Sequence, residues 1–485
     1  MSAHLIPGID PTSVTPVPIA GTWTTGTQSV EVRAPYDGSL LGSIPVVSPQ
    51  DVRTAVLHAK KAMHDNPLPQ WRRVEILDRA AELLAAHRDT FATAIALEAA
   101  KPIKTARVEA DRAIGTMQFS AAVARTLAGE TVPMEASAAG AGKLGFIMRV
   151  PIGVVGAISP FNFPLNLVVH KIGPAIAAGC ATVLKPATQT PFSSILLARL
   201  LLQEAGLPEG YLQVVTGGGS TVGNALVDDP DVALITFTGS PEVGWGIRAR
   251  APRKRVGLEL GNNAPLIIEP DGDWKTAAAK VKVAGFAHAG QSCISTQRIF
   301  VHEDIAAQFT DELVAHVTSI VVGDPMSEAT DVSALISTSE RDRVKAWIDD
   351  AVAGGGRVAC GGALTAEGVL QPTVIVDAQP DMNVCALEVF GPLVAVQVYR
   401  DFDDALAKAN DTSYGLQAAV FTSDVSKAMK ALRTLDFGGV LVNEVPSWRA
   451  DQMPYGGIRD SGNTKEGPAY SVREMTEERL CIIHG

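Results

Sequence analysis

Two runs of strand–helix alternation restrict the fold of this 485-residue chain more than any other feature. From Val150 onward, short apolar runs at Gly153–Ile158, Pro174–Gly179 and Ala181–Lys185 alternate with helical segments. A helix over Ser193–Ala205, closed by Gly206, leads to strands at Leu212–Thr216, Ala233–Phe237 and Val256–Leu260, with a further helix after Ser240. The pattern restarts after Asn262, with strands expected at Pro265–Ile268, Arg298–Val301, Thr373–Val376, Val394–Val398, Ala418–Phe421 and Val440–Val442. Continuous apolar strands separated by helices build parallel sheets covered on both faces. The fold class expected is therefore α/β: one domain of the dinucleotide-binding type, then a second α/β domain.

Ahead of these runs, residues 1–47 are rich in Pro, Gly and Thr and read as a wrapping arm with edge strands. Ser48-Pro49-Gln50-Asp51 opens a helix: Ser48 caps it, Pro49 suits the first position and Asp51 complements the dipole. Val52, Val56, Ala59 and Met63 follow at helical spacing, and helical pattern continues from Trp71 to about Ala128 with a break near Lys101-Pro102. The last segment, Glu474–Ile483, reads as a tail that pairs with another subunit.

A net charge of −11 argues against nucleic acid or an anionic membrane as the main partner. Five scattered cysteines with no C-x-x-C pair suggest neither a disulfide framework nor a metal site, and fit a reducing, cytoplasmic setting. The N-terminal residues lack the basic and apolar regions of a secretory signal, and Gly, Pro or Arg199 breaks every long apolar stretch.

The chemistry is expected at Gly285–Arg298, where Cys293 lies at a helix-to-strand junction after Gly290. A thiolate there is an approachable nucleophile, although a lone cysteine is more often a small core residue. Asn162, between Pro160 and Pro164 after a buried strand, is a candidate oxyanion donor or simply a turn residue. Lys185, at the end of the next strand, points toward a cofactor crevice or into solvent. The turns Thr216–Gly223 and Phe237–Gly244 let backbone approach a ligand, and a free Ser240 hydroxyl at a helix start suits pyrophosphate; a tight turn is the plainer reading. Glu259, ending an apolar strand, is a candidate general base with a raised pKa, or a capping or ion-paired acid. Glu388 and Phe390 offer a ribose acceptor and a ring face, or only an edge turn.

Taken together, P-F-N-F-P, L-K-P-A, the Gly217–Gly223 turn, F-T-G-S-x-x-V-G, L-E-L-G, G-Q-S-C, E-V-F-G-P, N-D-T-S-Y-G-L at Asn410–Leu416 and P-Y-G-G at Pro454–Gly457 resemble the aldehyde dehydrogenase superfamily across essentially the whole chain. The resemblance implies a Rossmann-like cofactor domain (1–125 and 143–258), a catalytic domain (259–455) and a small β oligomerisation arm (126–142 and 456–485). It implies Cys293 as nucleophile, Glu259 as the base activating water, and an oxyanion hole of Asn162 and the Cys293 N–H, with Lys171 in support. Ile158, Pro160, Lys185, Thr188, Gly219, Gly223, Gly239, Ser240, Leu260, Glu388 and Phe390 would hold NAD or NADP. A homodimer or homotetramer acting on a small-molecule aldehyde is the implied assembly.

Two departures matter. Thr188 stands where strictly NAD-using members carry Glu, so NADP is expected to be accepted, with Lys185 near its 2′-phosphate. Asn262 replaces a common Gly just after the base, where it could alter how Glu259 swings. The matching pocket positions are Met117, Phe163, Asn166, His170, Ser292, Ile294, Arg449 and Tyr455. The polar members, Asn166, His170, Ser292 and Arg449, disfavour an apolar ligand. A small hydroxylated or anionic aldehyde of the lactaldehyde or semialdehyde type is expected; Phe163 and Ser292 argue against a phosphonate. Arg449 is equally readable as a surface loop residue and His170 as a packed helix histidine. The alternatives are a broad-specificity aliphatic or aromatic enzyme, a coenzyme-A-acylating relative, and a catalytically silent NAD(P)-binding structural protein.

Overall fold

A computed structural model describes residues 5–485, so the first four residues of the expected N-terminal arm lie outside the described residues. The strand Val154–Ile158 is buried at all five positions. It sits mid-sheet in the spatial order Arg255–Glu259, Val232–Thr238, Val154–Ile158, Thr182–Lys185, Leu212–Val214, with every pairing parallel. The first strand thus lies between the second and the fourth. Winding reverses there, which opens a crevice outside the carboxyl ends of the strands.

The second sheet has seven strands, in the order Arg357–Cys360, Thr373–Val376, Leu393–Tyr399, Arg298–His302, Pro265–Ile268, Gln417–Phe421, Gly439–Val442. Only the first of these is antiparallel. It was not expected, because a half-exposed edge strand lacks the continuous apolar run of its buried neighbours.

Several elements differ from the sequence-based expectations for physical reasons. Pro174–Gly179 is the C-terminal half and cap of the helix Asn166–Ala178, all thirteen residues of which are buried. A helix apolar on every side shows no 3.6-residue stripe, so its end reads as an apolar run. The stretch after Trp71 is three helices, Gln70–Ala86, Arg88–Ala99 and Ile103–Thr126, with one junction at His87 beyond the break at Lys101-Pro102. The N-terminal strands do not extend a large sheet. They form two hairpins, Val17–Ile19 with Thr22–Thr24 and Ser29–Arg33 with Leu40–Pro45, packed onto the first domain's core through Ile19, Val32 and Ile44. Ser48 caps the helix Pro49–Asp65 as expected, and the Asp51 side chain reciprocates to the Ser48 N–H at 2.8 Å.

The tail Thr476–His484 pairs antiparallel with Lys143–Pro151 of its own chain, and Thr131–Val132 completes a three-stranded sheet. That partner strand begins at the residue after the expected 126–142 segment. Leu480, Ile482 and Ile483 remain exposed on the tail. Residues 456–475 do not all belong with the tail. Leu260 N–H donates to Ser461 O at 3.1 Å, and Glu466 pairs with Tyr455, so this segment folds back against the end of the first sheet. Among the described residues no helix is long and apolar enough to cross a membrane.

Leu184, fully buried, precedes Lys185 on the strand beside the reversal point. Leu184→Ala is expected to cost about 2–5 kcal/mol. Urea denaturation checks this as a lower midpoint with an unchanged slope.

Candidate active site

The loop carrying Cys293 follows the helix Trp274–Ala284, which Asp273 caps. His288, Ala289 and Gly290 then take φ values of 52°, 54° and 71°. Gly290 is required there: a side chain would begin 2.0 Å from the Gly391 carbonyl oxygen. Gln291 pins the turn, its side-chain oxygen accepting from Ile336 N–H at 2.9 Å. The Gln291 carbonyl accepts from Asn162 Nδ2 at 2.8 Å, which joins the two expected sides of the oxyanion site. Cys293 Sγ lies 2.8 Å from the Tyr455 hydroxyl. Burial pushes the Cys293 thiol up to about 12, against the pull of Tyr455 and Arg449, while Glu388 and Glu259 push it the same way as burial.

Asn162 is buried after the strand Val154–Ile158, and a group the sequence did not single out holds its backbone. Lys101 Nζ donates to Asn162 O at 2.6 Å, pairs with Glu109, and stands 3.7 Å over the Phe163 ring. The other Glu109 oxygen accepts from Leu165 N–H at 3.0 Å and Asn166 N–H at 3.1 Å. One fully buried ion pair therefore braces the whole Asn162–Asn166 turn. Its sequence signal is faint, because K-P at a helix junction reads only as a break.

Glu259 ends its strand buried, and neither carboxylate oxygen has a partner among the described residues. Burial raises its carboxyl well above the ordinary range; Glu466 adds to this, and Arg449, Lys171 and Lys465 oppose it. Lys171 Nζ donates to Thr238 at 2.7 Å and Thr236 at 3.1 Å, and lies 3.4 Å from Glu466. Burial also works against ionising Glu466, but Lys171, Arg449 and His170 outweigh it and hold its carboxyl at about 2. Glu466, which falls within the expected arm segment 456–485, lies among these buried charges. The acid in T-K-E-G, just past P-Y-G-G, is the signal that could have found it.

The Arg449 side chain is buried, only 5% of it exposed, so it is not a surface arginine. Its guanidinium stacks 3.8 Å over the Tyr455 ring and reaches Glu466 and His170 at 3.1 Å each. Its Nε is buried with no hydrogen-bond partner among the described residues and lies 4.0 Å from Asp451 Oδ1. His170 and Asn166 are not free pocket groups. Asp451 gathers His170 Nε2 at 2.9 Å, Asn166 Nδ2 at 3.1 Å and two bonds from Arg112. Beside Cys293, Ile294 and Tyr455 pack with Leu416 and Met453 as an apolar wall. Ser292 is half-buried next to the thiol, and Met117 is fully buried.

A cavity of about 390 Å³ runs past both Cys293 and Glu259. Asn162, Pro160, Gly239, Ser240, Leu260, Glu388 and Phe390 line it. Ser240 is exposed at the start of the helix Pro241–Arg250, and its hydroxyl caps nothing. Burial raises Glu388 to about 7, and it accepts from Asn262 N–H at 3.0 Å. Phe390 meets Phe161 edge to face at 5.9 Å. Ile158, Lys185, Thr188, Gly219 and Gly223 do not line this cavity. They lie at and beyond the carboxyl ends of the neighbouring strands. Lys185 is buried with no carboxylate partner among the described residues, and burial lowers its ammonium to about 8. Thr188 donates to Gly217 O at 3.1 Å. The Asn262 side chain bonds to Gln417 O at 3.2 Å rather than to Glu259, so it ties the end of the Glu259 strand to the second sheet.

The aldehyde dehydrogenase family model matches residues 23–481. The chain belongs to the aldehyde dehydrogenase family. It is 44% identical over 466 residues to the 3-sulfolactaldehyde dehydrogenase of Priestia aryabhattai, covering 96% of this chain and 97% of that one. It is 37% identical to the lactaldehyde dehydrogenase of Methanococcus vannielii, over 94% of this chain and 97% of that one. Among solved structures it is similar to the NADP-dependent glyceraldehyde-3-phosphate dehydrogenase of Bacillus halodurans C-125 complexed with NADP. The TM-score is 0.94 at 34% identity, with 97% and 99% of the two chains covered. The aldehyde dehydrogenase fold thus accounts for both sheets and for the cleft between them.

Removing one member of a buried ion pair strands the other charge. Lys101→Met in this aldehyde dehydrogenase is expected to cost about 3–5 kcal/mol. Thermal and denaturant unfolding check the value, and a change within error of zero would contradict the brace.

Proposed function

We propose that this aldehyde dehydrogenase oxidises a small polar or anionic aldehyde to its carboxylic acid with NAD(P), through a thiohemiacetal and a thioester on Cys293. The observation that carries the substrate class is the buried Arg449 side chain, whose Nε has no hydrogen-bond partner among the described residues and whose guanidinium stacks on the aromatic ring that touches Cys293. A buried cation with an unsatisfied donor favours an anionic or hydroxylated ligand over hydrocarbon. The relatives that act on sulfolactaldehyde and lactaldehyde support the same class.

In this reading the Cys293 thiolate attacks the carbonyl carbon, and the carbonyl electron pair becomes an oxyanion. Asn162 Nδ2 and the Cys293 N–H receive it; one such donor is worth roughly 3–4 kcal/mol. NAD(P), when bound, supplies the acceptor for the departing hydride. Glu259 then takes a proton from water. The hydroxide adds to the thioester, the C–S bond breaks, and the acid leaves with the thiolate restored. Lys171 keeps Glu466 ionised, and Glu466 in turn favours the proton that Glu259 receives.

The cofactor residues fit a dinucleotide. Ser240 presents a free hydroxyl at a helix start, Lys185 is a buried cation with no acid beside it, and Glu388 is an acceptor at the cavity rim. Thr188 leaves room for a 2′-phosphate where a carboxylate would repel it. The chain divides in this proposal as 1–125 and 143–258 for cofactor, 259–455 for catalysis, and 126–142 with the end of 456–485 as arm. The exposed Leu480, Ile482 and Ile483 make that arm an assembly surface for a homodimer or homotetramer in a reducing cytoplasm. Sedimentation of the purified chain as a monomer would refute the assembly.

The apolar wall of Ile294, Leu416, Met453 and Tyr455 favours a second reading, a broad-specificity enzyme for aliphatic or aromatic aldehydes. Initial rates across an aldehyde panel separate the two. Hydroxy-, carboxy- and sulfo-aldehydes are expected to exceed hexanal and benzaldehyde by at least about tenfold in kcat/KM, and Arg449→Met, which lowers turnover of every aldehyde, to remove that preference as read in the ratio of kcat/KM for polar over apolar aldehydes. Hexanal as the best substrate would contradict the polar reading. Loss of all turnover in Cys293→Ala is expected, and its retention would rule out the mechanism. NADP is expected to be used at a rate comparable to NAD or better, and Thr188→Glu to shift the NADP/NAD ratio of kcat/KM down by about tenfold or more. An unchanged ratio would show that Thr188 does not face the ribose.

A further inference from the structure

We propose that the Tyr455 hydroxyl is a catalytic hydrogen-bond donor that stabilises the Cys293 thiolate, with the Arg449 guanidinium on its ring strengthening the donor. The inference rests on Cys293 being the nucleophile. It begins from geometry: the phenol oxygen is 2.8 Å from Sγ, and it is the only hydrogen-bond partner of that sulfur among the described residues. A phenol both donates and accepts, whereas a thiolate only accepts. While the sulfur is protonated, either group can donate. Once the thiol proton is released to solvent, the hydroxyl alone can donate and the bond becomes charge-assisted.

The surroundings make this donor matter. Tyr455 is only 2% exposed, so water does not substitute for it easily. The groups facing the sulfur are Tyr455, Arg449, Glu388 and Glu259. The two carboxyls oppose ionisation, as does burial, and only Tyr455 and Arg449 favour it. Arg449 acts on both sulfur and phenol. Its guanidinium lies 3.8 Å from the ring centroid, where a cation draws electron density from the ring and makes the O–H a better donor. Glu466, at 3.1 Å, keeps Arg449 in that position. When the C–S bond forms, the sulfur loses its negative charge and becomes a weak acceptor. Tyr455 therefore acts on the ionisation of the thiol and not on the carbonyl addition that follows.

The test is the pH dependence of Cys293 alkylation by iodoacetamide in the full-length enzyme without aldehyde, read by mass spectrometry of the Cys293 peptide. Tyr455→Phe keeps the ring and its stacked guanidinium and removes only the hydroxyl. A lost hydrogen bond to a charged group shifts the profile roughly 1–2 pH units upward, so alkylation at neutral pH falls roughly 10- to 100-fold. With burial pushing the thiol up to about 12, both proteins stay below their plateau, and the Tyr455→Phe rate rises with pH parallel to the wild-type rate and below it. A structural role alone would not make alkylation faster when the phenol is made a stronger donor. Incorporating 3-fluorotyrosine at position 455 makes the phenol a stronger donor, and the profile should move the opposite way. That variant decides the matter if Tyr455→Phe does not fold. An unmoved profile in the variants, with turnover still dependent on Cys293, overturns the role of Tyr455. Turnover that survives Cys293→Ala overturns the nucleophile assignment, and this inference with it.

Discussion

Lys171 and Arg449, both within ion-pair distance, hold the Glu466 carboxyl low in the interior, and the candidate reactive groups are arranged around that triad. Removing a charge from water costs several kcal/mol per ion, which is recovered only when the partners are close and further bonded. Here they are: Thr236 and Thr238 complete the coordination of Lys171, and His170 and the Tyr455 ring complete that of Arg449. The three members come from a helix of the first domain, a loop after the last strand of the second sheet, and the returning segment 456–475. The same interaction that settles the charges therefore fixes how the two sheets face each other.

Glu259 and Cys293 inherit their character from that arrangement. Full burial, together with the charge on Glu466, favours a neutral Glu259 carboxyl at rest, and burial likewise favours a neutral thiol. Both groups are kept from ionising freely, and each has neighbours that oppose the penalty, Arg449 and Lys171 for the acid and Tyr455 and Arg449 for the sulfur. The Lys101–Glu109 pair plays a comparable part on the opposite wall, where it holds the turn that carries Asn162.

Much of this was legible in the chain. Strands such as Pro265–Ile268 and Thr373–Val376 begin and end where the apolar runs do, because a strand buried on both faces must be apolar throughout. Cys293, Glu259 and Asn162 were singled out because Gly, Pro and strand ends mark the positions where backbone is constrained. What was not legible is pairing across long sequence separation. Glu466 and Lys171 are 295 residues apart and Asp451 and Arg112 are 339 apart, and no local pattern links them. The buried helix Asn166–Ala178 and the half-exposed strand Lys143–Pro151 escaped for the opposite reasons, one having no polar face and the other no clean alternation.

The central claim is a covalent acyl-enzyme on Cys293 whose release needs Glu259. It is tested most directly by mixing the Glu259→Gln variant with aldehyde and oxidised cofactor and taking intact and peptide masses within the first turnovers. The expected result is close to one equivalent of reduced cofactor formed in a burst, with the acyl mass on the Cys293 peptide and slow release. Steady turnover with no adduct, or an adduct on another residue, would contradict the account.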